Sequence, residues 1–230
     1  MRDRKMAHRR RQRQLEKRTY AETRARASLQ LLAKGSLWQA VSAKQNVSLS
    51  KTTAEYKAAR AVTKIHARLP HAIKMLFQAA ESTPAFQTWA RAVYPDTYLD
   101  AAIVEHLYDE TDVPFEKRAT TKWFALASPK SKLLRGHDYY VVEWIGVESD
   151  AHGRFVACYL FQESLADMAA IGRDVGCDRA HIDALIVKLE RADDQSLLCS
   201  LAFQIVPSST SSLPFTRPAA LDMAYRLAKG

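Results

Sequence analysis

The residue types that perform chemistry are present in this chain, but their spacing is wrong for it. Ser128, His137 and Asp138 are the three members of a hydrolytic triad. A nucleophilic serine of that kind sits in a strained elbow written G-x-S-x-G, and the motif does not occur. His137 and Asp138 are adjacent, so on a strand they would point to opposite faces. Cys177 and His181, with His152 and Cys158 elsewhere, are metal-ligand types, yet zinc sites usually show close pairs such as Cys-x2-Cys, and none is found. Asp174, Asp178 and Asp183 miss the spacing of a calcium loop and read as a solvated acidic stretch. Glycine-rich phosphate loops are absent as well. We therefore expect no enzyme, no cofactor and no metal.

Two other groups suit binding. Trp123, Tyr139, Tyr140 and Trp144 have the ring faces on which nucleic-acid bases stack, although core aromatics of a sheet have the same composition. The segment "HRRRQRQLEKR" supplies Arg9, Arg10, Arg11, Arg13, Lys17 and Arg18, whose guanidinium and ammonium groups fit phosphate oxygens or an import receptor. Base-specific reading is disfavoured, because no Asn precedes Asn46. Charge is partitioned sharply along the chain. Residues 1–74 hold 19 Lys+Arg against 4 Asp+Glu, whereas residues 75–230 hold 15 against 21, so the net +9 comes from an arm on a mildly acidic body.

The elements that carry these groups follow from composition and period. Residues 1–27 are almost purely polar and are expected to be a disordered basic arm or a frayed helix. Residues 28–74 are rich in helix formers and are expected to extend as a helix, with coiled-coil character. Its heptads place Leu31, Trp38, Gln45, Thr52, Ala59 and His66 at one seam position, and half of the seam is polar, which disfavours a stable zipper. Pro70, Pro84 and Pro95 punctuate the passage to a domain over residues 75–230.

In that domain "TYLDAAIVEHLYDE" reads as a helix from the spacing of Leu99, Ile103 and Leu107. Five β-rich runs follow, at 121–127, 137–147, 154–162, 184–191 and 196–206, with "SDAHG" and "ADDQ" as hairpin turns. Connections this short require an antiparallel meander. "TRPAALDMAYRLAK" closes the chain as an amphipathic helix, with Leu221, Ala224, Tyr225 and Ala228 in its apolar stripe. The fold class is thus α+β, a helix-grip arrangement in which a C-terminal helix lies across a curved antiparallel sheet, preceded by a long basic N-terminal helix.

Lys122-Trp123, Ser128-Pro129, Arg135 and Asp138-Tyr139 resemble the "K-W … S-P … R-D-[FY]" pattern of START-like lipid-binding domains, over roughly residues 97–230. The order of basic region, "GSLWQAVSAKQ" and START-like part is also similar to an oomycete family of mating-specific or START-like proteins. Here Gly136-His137 separates Arg135 from Asp138, which the pattern places side by side. The resemblance implies a cavity for a lipid, sterol or other hydrophobic molecule, lined by Trp144, Leu189, Leu201, Phe203, Leu221 and Tyr225, or else a surface for a protein partner. The alternative is a nucleic-acid-associated regulator whose basic arm binds phosphate. Three scattered cysteines and the lack of an apolar leader or membrane span lead us to expect a cytoplasmic or nuclear protein of undetermined oligomeric state.

Overall fold

The computed structural model describes residues 2–33, 38–42, 47–50, 58–108, 116–128, 135–165 and 176–205. Helix α1 spans Arg2–Ala33, and three strands follow it, β1 (Trp38–Ser42), β2 (Val47–Ser50) and β3 (Ala58–Ile65). Two short helices come next, α2 (Leu69–Gln78) and α3 (Thr83–Val93). Seven described strands follow: β4 (Tyr98–His106), β5 (Lys117–Leu126), β6 (His137–Ser149), β7 (Phe155–Ser164), β8 (Asp178–Arg179), β9 (Ile182–Asp193) and β10 (Ser196–Ile205). Strand order is β1-β2-β3-β10-β9-β7-β6-β5-β4, with β8 paired to β6. All pairings are antiparallel except β6 with β8. The five β-rich runs of the sequence are β5, β6, β7, β9 and β10. The expected C-terminal helix lies outside the described residues, and among those residues no helix is long and apolar enough to cross a membrane.

Three expectations are corrected. The extension at 28–74 is helical only to Ala33, after which the chain forms β1, β2 and β3 and then enters α2 at Leu69. The polar seam positions of the heptads were the warning, because β3 needs a two-residue alternation, and pairing with β10 overrides local helix propensity. Residues 2–27 are helical, so of the two expected states disorder is the one corrected, since the second half of α1 docks on the sheet through Ala21 and Ala25. "TYLDAAIVEH" is the strand β4. A spacing of four satisfies both a helical face and a strand face, so Leu99 and Ile103 could not distinguish the two.

Prolines begin the short helices. Pro70 and Pro84 occupy first-turn positions of α2 and α3, where no N–H is needed, and Ser82 caps α3 by accepting from the Ala85 N–H at 3.4 Å. These two helices cover the inner face of the sheet, where Ile73, Phe77 and Phe86 join Phe124, Val141, Ile145, Leu160, Val187 and Leu201 in the main core. Helix α1 covers the outer face, with Ala21 and Ala25 against Val142, Trp144 and Phe161. Strand alternation produces both faces from one sequence, as the paired row Ile145–Leu160–Val187–Leu201 lies inside and the next row, Trp144–Phe161–Ile186–Ala202, outside.

Candidate functional site

Inward positions of β6 are Tyr139, Val141, Glu143, Ile145 and Val147, so one carboxylate interrupts an apolar file. On β5 the inward file is Thr120, Lys122, Phe124 and Leu126. Lys122 and Glu143 are fully enclosed, at 1% and 2% side-chain exposure, and their Nζ and Oε1 lie 2.5 Å apart. Lys122 also donates to the Ala79 carbonyl at the end of α2 (3.0 Å), and its ammonium lies 4.2 Å from the centre of the Phe86 ring. The cation thus ties the sheet to both short helices. Glu143 Oε2 accepts from Gln162 Nε2 at 2.8 Å.

A buried ion pair persists only when its remaining hydrogen-bonding positions are filled, and here most of them are. Burial pushes the Lys122 ammonium below its ordinary pKa, with Glu143 opposing the shift. Burial, then the charge of Glu143, pushes the Tyr94 phenol up to about 12. Tyr94, Phe124 and Tyr139 stack beside the pair, with neighbouring centroids 6.3 and 5.0 Å apart. Thr120 Oγ1, on the paired position next to Glu143, is buried and has no hydrogen-bond partner. Around Glu143 the described inner face is therefore largely apolar, with a neutralised ion pair and a hydroxyl to spare.

The predicted ligand-lining residues divide between the faces. Leu189 and Leu201 belong to the inner core. Trp144 is corrected: it lies on the outer face against α1, one residue out of phase with Ile145, and its ring covers Gly146, where a Cβ would come within 2.2 Å of it. Phe203 pairs in register with Leu185 and Ala59, while Leu221 and Tyr225 lie outside the described residues. Lys122, Glu143, Gln162 and Thr120 went unrecognised as a group. The available signal was the polar break in otherwise apolar alternating files.

The motif around β6 is satisfied in an unexpected way. Asp138 accepts from Trp123 Nε1 (2.7 Å) and from Arg179 Nε and Nη2 (2.9 and 2.8 Å), while Arg135 pairs with Asp178 at 2.9 Å. Gly136-His137 moves Arg135 out of reach, and β8 returns an arginine from a distant part of the chain. These contacts tie Asp138 to β5 and β8. Among the described residues, no three His, Cys, Asp or Glu side chains are grouped to hold a metal.

The basic residues divide too. Lys17 pairs with Glu105 at 2.6 Å, and Arg18 stacks 4.7 Å over Tyr108, so both bind the body of the protein. Arg9, Arg10, Arg11 and Arg13 are exposed.

No family profile and no curated protein matches the chain. Solved structures do match its fold. Human StAR-related lipid transfer protein 5 superposes with a TM-score of 0.61 at 13% identity, covering 91% of this chain and 93% of its own. Human STARD10 gives 0.58 at 12% identity, over 89% and 78%. The lipid transfer and protein localization domain of human StarD13 gives 0.56 at 14% identity, over 87% and 94%. At such identities the likeness is one of fold. The protein has the START-like helix-grip architecture, with a long N-terminal helix in front of an antiparallel sheet.

Proposed function

We propose that the protein is a non-enzymatic carrier or receptor for a hydrophobic molecule of lipid or sterol type, held on the inner face of the sheet. The observation that carries this is the Lys122–Glu143–Gln162 group beside the unpartnered Thr120 hydroxyl, set in an apolar face. Apolar binding sites orient their ligands with a few placed polar groups of this kind. The ion pair is already neutral, so a ligand bearing net charge would be left unbalanced in a dry interior. A hydroxyl or ester end fits better. The START-like neighbours described as lipid transfer proteins support the same reading, and the narrower affinity with the oomycete family rests on the order of segments in the sequence.

Lipids extracted from the purified full chain and identified by mass spectrometry test the proposal directly, alongside uptake of a fluorescent sterol or fatty-acid probe. Leu201→Trp should reduce uptake while the protein stays folded, because the indole would take up the ligand's space. Destabilisation by about 1–3 kcal/mol from overpacking a closed core, with no uptake by the unsubstituted protein, would overturn the reading.

A further inference from the structure

Residues 5–13 of α1 are exposed and include Lys5, Arg9, Arg10, Arg11 and Arg13, with no Asp or Glu among them. The helix leaves the body at the end of β4, where Gln14 Nε2 donates to the His106 carbonyl (3.2 Å) and Lys17 pairs with Glu105 (2.6 Å). Short polar helices without packing are marginal, and like charges four residues apart weaken them further. Lys5 with Arg9 and Arg9 with Arg13 are such pairs. This segment is therefore one that an anionic surface would stabilise.

The distribution of side chains distinguishes between such surfaces. Residues three, four and seven apart share one side of a helix, so Met6, Arg9, Arg10 and Arg13 line a single stripe, with Lys5 next to Arg9. Arg11 lies off it. Met6 is 67% exposed, an apolar side chain among the cations. A plane engages one side of a helix, and a bilayer interface also rewards an apolar side chain there, which a phosphate backbone does not. The stripe has too little apolar surface to insert, so attachment is electrostatic and reversible. Residues 75–230, with 15 Lys+Arg against 21 Asp+Glu, would be repelled by the same surface, which leaves the arm to lead.

We propose that the exposed N-terminal half of α1 is a docking surface for an anionic lipid bilayer. The choice of a bilayer rests on the ligand reading above, since a bilayer is where a hydrophobic molecule is collected or delivered. The full chain should co-sediment with vesicles of phosphatidylcholine plus phosphatidylserine and not with phosphatidylcholine alone. Replacing Arg9, Arg10 and Arg13 together by Gln should weaken that binding by about a hundredfold, as each basic residue near the surface contributes about fivefold. The same variant should keep its unfolding temperature and its probe uptake. Equal binding to neutral vesicles, or unchanged binding by the variant, overturns the proposal. So does tighter binding to a DNA duplex at the same salt concentration that the triple substitution abolishes, which would assign the stripe to nucleic-acid phosphate. Docking without probe uptake upholds this surface and removes the ligand reading, and uptake without docking does the reverse.

Discussion

Lys122 and Glu143 each make the other tolerable. Removing one leaves a charge stranded in a dry interior, at a cost of about 3–5 kcal/mol, whereas removing both in favour of apolar side chains of similar volume is often neutral. Glu143→Leu and Lys122→Met should therefore each lower stability strongly in chemical denaturation, and the double substitution should recover most of the loss. If the pair also orients a ligand, the stable double variant will bind hydroxyl-bearing probes more weakly than the parent, with little change for a simple hydrocarbon. Equal affinities would make the pair purely architectural. Two of the cysteines are inert for the same reason of environment, since burial raises the thiols of Cys158 and Cys199 to about 12 and 11.

At the scale of elements, α1 is fastened by small side chains and ion pairs. Glu22 receives Lys117 and Arg26, each at 2.8 Å, and Glu163 receives Tyr20 and Arg24 at 2.6 and 2.8 Å. Hydrogen bonding from Lys117 holds the Glu22 carboxyl below its ordinary pKa. A depressed carboxylate stabilises fully above its unfolded value and loses that contribution as pH falls through the folded one. Hydrogen-exchange protection of α1 should thus decline on acidification below the ordinary carboxylate range of about 4. Glu22→Gln should show lower protection already at neutral pH, and protection equal to the parent's would exclude this fastening. The α1 contacts also explain a limit of sequence reading. Ala21 and Ala25 are fully buried, yet alanines in a basic helix carry no hydrophobic signal. By contrast, the alternation in Leu185–Val187–Leu189 and Leu197–Cys199–Leu201 exposed β9 and β10 plainly.

The whole molecule does not divide where its composition does. A break near residue 74 follows the change in charge, but β3 lies before that point and forms the partner of β10, from Ile65 opposite Leu197 to Ala58 opposite Gln204. A fragment of residues 75–230 would leave that edge of β10 open, which is a template for association. We expect the fragment to aggregate or oligomerise where the full chain does not, as measured by light scattering at equal concentration. A monomeric fragment with the parent's unfolding temperature would restore the boundary. The far edge is better protected. On β4 the Ile103 N–H donates to Thr83 Oγ1, and Gln87 Nε2 donates to the Ala101 carbonyl. The general architecture was legible from the meander, and the interior pair was hidden because a single Lys or Glu inside an apolar stretch looks like noise until the strands are aligned. Lys122 and Glu143 are 21 residues apart and meet only through the register of β5 on β6.

The pairing of β3 with β10 also orders events during synthesis. When β3 leaves the ribosome its partner is still more than a hundred residues away, and at about 5–20 residues per second the wait is on the order of ten seconds. Throughout that interval the edge of β3 that β10 will pair with has no permanent neighbour. Long-range closures of this kind fold slowly. The basic, self-repelling start of α1 emerges before β3, and its like charges keep neighbouring nascent chains apart until β10 arrives.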